Sequence, residues 1–200
     1  MRGFKSPLEG GFRGAAMKTE ELLIAGFGGQ GVLSMGKILA YAGVMQGKEV
    51  VWMPSYGPEM RGGTANVTVM ISDDQIDSPV VMKFDTVIVL NQQSLNKFEG
   101  SVKPGGRLFY DSNGLKSFPT RKDINIYHIP ATAKAAELGT TKVFNIMVLG
   151  GYLKIVPIVS VEYVEQGLYK SLPERAHKLI PLNIEALHDG ASIVEIIQEV

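Results

Sequence analysis

Leu22-Leu23-Ile24-Ala25-Gly26-Phe27-Gly28-Gly29-Gln30-Gly31 decides the fold. A short apolar run breaks directly into glycine, the pattern of a buried parallel strand entering a tight turn. Met35, Ile38, Leu39, Ala42 and Met45 then recur on one helical face, and Gly47 stands where a glycine C′ residue belongs. Glu49 to Met53 reads as a second strand. Strand, glycine turn, helix and strand make a βαβ unit.

Downstream, a Gly/Pro-rich loop covers Pro54 to Gly63, Ala65 to Ile71 alternates as a strand, and Asp73-Asp74 makes a solvated turn. Val80 to Phe84 closes a short strand or helix. Asp85-Thr86-Val87-Ile88-Val89-Leu90 is the clearest buried strand. Gln92 to Phe98 reads as a helix and Pro104-Gly105-Gly106 as a turn. Arg107 to Asp111 and Asp123 to Ile129 are two further strands, and Ala131 to Leu138 and Val143 to Ile155 two further helices. Beyond Pro157 the pattern is helical. Ser171 with Glu174, and Ser192 with Glu195, have capping-box spacing, with Pro173 early in the first of these helices. Alternating strands and helices predict a Rossmann-like α/β fold, an open and mainly parallel sheet with helices on both faces. Residues 1–16 are Gly-rich and aperiodic, and are expected to be a disordered extension or tag ahead of a single domain over 17–200.

Composition narrows the function. The 200 residues are 45% hydrophobic, enough for one well-filled core. Lys+Arg and Asp+Glu number 20 each, so nothing favours nucleic acid or an anionic membrane. With no cysteine, this chain holds no disulfide, thiolate nucleophile, Cys-ligated zinc or Cys-ligated iron–sulfur cluster. The N-terminus lacks an apolar signal region, and the apolar stretch from Val143 to Val159 is interrupted by Asn145, Lys154 and Pro157. The expected location is the cytoplasm.

Gly26-Phe27-Gly28-Gly29-Gln30-Gly31 matches G-x-G-x-x-G between a strand and a helix. Glycines let a backbone approach closely, and the free N–H groups of a helix N-terminus attract anions. A dinucleotide would need a carboxylate at the end of the second strand. Glu49 lies instead at that strand's start, and Trp52 and Met53 occupy its end. Three readings stay open: a dinucleotide, glycines required only for packing, and an anionic group or partner backbone at the turn. The loop Ser55-Tyr56-Gly57-Pro58-Glu59-Met60-Arg61-Gly62-Gly63 should reach the same sheet edge. Arg61, flanked by glycine, can present its planar fork to a phosphate or carboxylate. The alternative is an internal Glu59–Arg61 pair that shapes the loop.

Together, the strand leading into GFGGQGV, the helix after it and SYGPEMRGG after the second strand resemble the γ subunit of 2-oxoacid:ferredoxin oxidoreductases. The runs Ser72 to Pro79 and Asp85 to Asn91 fit as well, so the resemblance covers roughly Glu21 to Leu187. The SYGPE-x-RGG form looks closest to the 2-oxoglutarate and branched-chain types. The resemblance implies an accessory subunit, inactive alone, of a complex that converts a 2-oxoacid to acyl-CoA and passes electrons to ferredoxin. Thiamine diphosphate would sit in the α and β catalytic subunits and iron–sulfur clusters in a ferredoxin-like δ subunit. Coenzyme A or a partner would meet Gly26, Gly28, Gly29, Gln30, Gly31, Ser55, Tyr56, Gly57, Glu59, Arg61 and Gly62. No metal site and no catalytic residue are expected in this chain alone. His128, His177 and His188 lack ligand spacing, Ser34 and Ser55 lack a base in sequence, and Trp52 and Lys37 read as packing and as a solvated stem. The competing functions are an autonomous NAD(P)-dependent oxidoreductase and a purely structural assembly module.

Overall fold

The computed structural model describes residues 19–56 and 64–200. The expected extension over 1–16 lies outside them. The strands are β1 (Thr19–Phe27), β2 (Glu49–Tyr56), β3 (Thr64–Ser72), β4 (Phe84–Val89), β5 (Val102–Tyr110), β6 (Asn125–His128) and β7 (Glu195–Gln198). The helices are α1 (Val32–Met45), α2 (Gln92–Phe98), α3 (Ala131–Glu137), α4 (Phe144–Ile155), α5 (Val161–Ser171) and α6 (Ile180–Ile193).

The seven strands form one sheet in the order β2-β3-β1-β4-β5-β6-β7. β1, β4, β5 and β6 pair in parallel, while β3 is antiparallel to both β1 and β2, and β7 is antiparallel to β6. β2 therefore runs in the same sense as β1 but is separated from it by β3. The expected βαβ unit is split, because the chain turns back after β2 and inserts β3 against β1. The parallel core matches the mainly parallel expectation, and the antiparallel pairs confine themselves to β3 and the β7 edge.

Alternation along β1 sorts the core into two layers. Leu22 and Ile24 face α1, α4, α5 and α6, and Leu23 faces the opposite side with Val87, Val89, Leu108 and Leu95 of α2. Helices thus cover both faces unequally. α4 and α6 pack with their backbones nearly touching: a Cβ on Gly150 would collide with the Leu187 carbonyl, and one on Gly190 with the Met147 carbonyl. Tyr152 of α4 is fully buried, with Phe109 packed edge-on against it at 5.7 Å.

Several local expectations give way to longer-range pairing. Pro104-Gly105-Gly106 is not a turn but a bulge inside β5, where the register against β4 shifts and Gly105 takes φ 72°. Residues 80–83 form neither strand nor helix. Ser171 closes α5, its hydroxyl donating to the Leu168 carbonyl, so it caps nothing that follows. Ser192 likewise lies near the end of α6, and Glu195 opens β7. Gly47 is the expected C′ glycine, at φ 82° with its N–H donating to the Val44 carbonyl.

Candidate functional site

β1 ends in the glycine turn, and the turn opens α1. Gln30 N–H donates to the Phe27 carbonyl at 3.2 Å, and Gly29 and Gly31 hold φ 98° and 77°. The two are not equivalent. A Cβ on Gly29 would meet nothing within 4 Å, whereas one on Gly31 would lie 2.7 Å from Asn145 Nδ2. Gly26 has a third role: its Cβ would lie 2.7 Å from Gln30 Oε1. That oxygen accepts the Phe27 N–H at 2.6 Å, and Gln30 Nε2 donates to the Leu90 carbonyl at 3.0 Å. Gln30 is therefore a strut between the ends of β1 and β4, its amide engaged at both atoms. The backbone of Gly28 and Gly29 is exposed.

The turn sits at a topological switch point. From β1 the chain crosses to α1 on one face, and from β4 to α2 on the other, which opens a crevice at their carboxyl ends. Asn91 follows β4 there, and its Oδ1 accepts the Ser94 N–H at 2.7 Å to cap α2. Asn91 Nδ2 and Ser94 Oγ are buried with no hydrogen-bond partner among the described residues. Beside the turn, a cleft of about 420 Å³ is lined by Gly29, Gly31, Ser34, Lys142, Asn145 and Asn183. It joins the N-terminal N–H groups of α1 to Lys142 and Asn145, donors suited to an anion, while Asn183 Nδ2 is already given to the Leu179 carbonyl at 2.7 Å. Sequence reasoning missed Lys142, Asn145 and Asn183. They come from the start of α4 and from α6, and nothing local ties them to the turn.

Strand register brings the end of β2 and the start of β3 to the same edge as the turn. Phe27 pairs with Thr64 and Tyr56 with Ala65, so the chain leaves β2 one strand away from the glycine turn and re-enters β3 at Thr64 directly beside it. Ser55 is exposed at the end of β2. Gly57, Glu59, Arg61 and Gly62 lie outside the described residues. Glu49 pairs with Ser72 at the opposite edge. With β3 inserted, a carboxylate at the end of β2 would also stand one strand further from the turn, about 4.8 Å, than a dinucleotide site needs. Trp52 and Lys37 line a separate shallow apolar hollow with Tyr41 and Val44, and Lys37 Nζ lies over the Tyr41 ring at 5.7 Å rather than near the turn.

The histidines divide by role. His177 Nε2 bonds to the carbonyls of Tyr169 and Leu172, tying the α5 end to the following 3-10 turn. His188 lies on α6 with Nδ1 buried and without a partner among the described residues. His128, at the end of β6, bonds Glu195 through Nδ1 at 2.8 Å and Ser112 through Nε2 at 3.0 Å. Among the described residues, no group of three or more His, Cys, Asp or Glu side chains could hold a metal ion, and no helix is long and apolar enough to cross a membrane.

An open α/β sheet with a glycine turn at its switch point defines a Rossmann-like α/β domain. The chain belongs to the pyruvate ferredoxin/flavodoxin oxidoreductase family, whose model matches residues 21–193. The 2-oxoglutarate synthase subunit KorC of Methanothermobacter marburgensis is 34% identical over 182 residues, covering 88% of this chain and 96% of that one. The ketoisovalerate oxidoreductase subunit VorA of the same organism is 37% identical over 168 residues, 84% of this chain. This chain spans only about a third of VorA's length, 35%. The γ subunit of a keto/oxoacid ferredoxin oxidoreductase from Geobacter sulfurreducens superposes with a TM-score of 0.75 at 27% identity, covering 90% of this chain and all of that one.

Proposed function

We propose that the chain is the γ-type subunit of a thiamine-diphosphate-dependent 2-oxoacid:ferredoxin oxidoreductase, contributing the carboxyl-edge crevice at which partner subunits and the anionic groups of coenzyme A meet this domain. The complex would convert a 2-oxoacid of the 2-oxoglutarate or branched-chain type to its acyl-CoA in the cytoplasm. Thiamine diphosphate and the iron–sulfur clusters would be carried by other chains, consistent with a sequence that contains no cysteine. The observation that supports the reading is the register: β3 begins at Thr64 beside the glycine turn, and β2 ends at Tyr56 one strand away on the same sheet edge. Arg61, the N-terminal N–H groups of α1 and Lys142 would then be drawn to the same anionic partner. Gln30, occupied as a strut, positions the turn rather than the ligand.

The test is affinity purification of the tagged chain from its native host, followed by mass spectrometry. Recovery of thiamine-dependent α and β chains with a ferredoxin-like chain supports the reading. Recovery of the chain alone with a bound nicotinamide dinucleotide would favour the autonomous dehydrogenase.

A further inference from the structure

The carboxyl edge of the sheet carries a second constellation, on the far side from the glycine turn and unused by the function above. Ser112 follows β5, His128 ends β6 and Glu195 opens the antiparallel β7, so three neighbouring strands deliver their side chains to one point. Glu195 Oε2 lies 2.8 Å from His128 Nδ1, and Ser112 Oγ lies 3.0 Å from His128 Nε2. With Glu195 ionised, its carboxylate accepts the Nδ1–H and fixes the tautomer. Nε2 then has a free lone pair that accepts the Ser112 hydroxyl proton. A nucleophile, a base within hydrogen-bond reach and a third group orienting the base are the geometric signature of an activated serine.

The surroundings hold this order in place. Asp111, the residue before the serine, is buried and occupied: it accepts the N–H of Asn113 at 2.8 Å and both the N–H and hydroxyl of Thr132 at 2.7 Å. The backbone presenting Ser112 is thereby anchored to the start of α3. Tyr110 stacks on the imidazole with centroids 5.0 Å apart, and Phe118, 60% exposed, packs edge-on against Tyr110 at 6.0 Å. These two rings form an apolar wall beside a partly exposed Ser112. Gly114 has no hydrogen-bond acceptor for its N–H among the described residues. The charged and titratable groups facing the imidazole are Glu195 and Tyr110.

We propose that Ser112 is a reactive nucleophile, with His128 as its base and Glu195 as the positioning carboxylate, able to transfer a small acyl group from an activated ester or thioester to water. Ser112 Oγ bonds to the acyl carbon as its proton passes to His128 Nε2. The carbon–oxygen or carbon–sulfur bond of the leaving group breaks, and the leaving alcohol or thiol takes that proton. Water then attacks the acyl-serine and gives its proton to His128, and the Ser112 oxygen departs with it. No electrons are exchanged with any acceptor. The inference is independent of the glycine-turn reading. The rival is that His128 only latches β7, a short edge strand with exposed Ile196 and Ile197, to the rest of the sheet.

The folded chain is treated with a fluorophosphonate probe, and the adduct is located by peptide mass spectrometry, with heat-unfolded protein as control. The expected result is an adduct at Ser112 in folded protein only, formed at least roughly 100-fold more slowly in His128→Gln. Glu195→Gln should slow labelling about tenfold, because the imidazole loses the carboxylate that holds its Nδ1–H and its orientation. Release of p-nitrophenol from p-nitrophenyl acetate should follow the same order. The proposal is overturned if folded wild-type protein gives no adduct at Ser112, which needs no variant to fold. It is equally overturned if folded His128→Gln, checked by circular dichroism, labels at the wild-type rate.

Discussion

Replacing Gly29 or Gly31 by alanine separates the conformational demand of the glycine turn from its packing demand. Both positions have positive φ, so either change costs about 1–2 kcal/mol for the left-handed backbone. At Gly29 the new methyl meets nothing within 4 Å, and the cost ends there. At Gly31 it would lie 2.7, 2.8 and 2.9 Å from Asn145 Nδ2, Cγ and Cβ, inside any normal contact. Displacing Asn145 at the start of α4 adds about 1–3 kcal/mol, the usual cost of an overpacked contact. The expected totals are about 1–2 kcal/mol for Gly29→Ala and about 2–5 kcal/mol for Gly31→Ala. For a domain of this size each kcal/mol lowers Tm by roughly 2–4 °C. Urea unfolding of the two variants and of Gly31→Ala/Asn145→Ala measures the difference. The second change removes the two nearest atoms but leaves Cβ at 2.9 Å, so it should restore only part of the loss, with a coupling of about 1 kcal/mol. Equal losses at Gly29 and Gly31, or no rescue, would refute the claim that Gly31 is fixed by α4.

Glu20 should make stability depend on pH in an unusual sense. It is almost wholly buried, and burial, reinforced by Asp85, raises its pKa above 4.5 against the opposing pull of Arg107 at 2.7 Å and of Thr86. A carboxyl whose folded pKa is raised is held more tightly protonated in the native state. Its contribution to stability should therefore grow as pH falls through the raised value toward 4.5 and fade above it; urea titrations across that interval should lose this component in Glu20→Gln. Arg61→Lys should raise the apparent KM for coenzyme A or weaken subunit association by roughly 10- to 100-fold in the assembled complex, with little change in the folding of the lone chain. Glu59→Gln should have the smaller effect, and a defect matching that of Arg61→Lys would favour an internal pair. The purified chain alone should show no iron–sulfur absorbance in the visible range, as its lack of cysteine requires.

The parallel core was legible because its strands are apolar runs whose burial does not depend on remote partners. Leu22 to Ala25 and Asp85 to Leu90 announced β1 and β4 unaided. What stayed hidden depends on pairing between distant segments. The insertion of β3 between β1 and β2 is a choice of neighbour, and an alternating run such as Ala65 to Ile71 fits several places in a sheet. Ser192 and Glu195 have the spacing of a capping box, yet β6 offers a free edge and draws Glu195–Gln198 into a strand. Pro104-Gly105-Gly106 carries turn chemistry, and β5 uses it for a bulge with the same positive φ. At the site, the glycine spacing marked the turn. It could not reveal that Gln30 would be consumed as a strut or that Lys142, Asn145 and Asn183 would complete a cleft. Ser112, His128 and Glu195 are invisible as a group because only the ordering of β5, β6 and β7 brings them together.

The most direct test of the chain's role is omission from the assembled complex. The partner subunits are prepared with and without it, and ferredoxin reduction is followed with a 2-oxoacid and coenzyme A. Coenzyme A-dependent reduction is expected only when this chain is present, and adding it back should restore the rate. A complex lacking the chain that turns over at the full rate with an unchanged KM for coenzyme A would contradict the account.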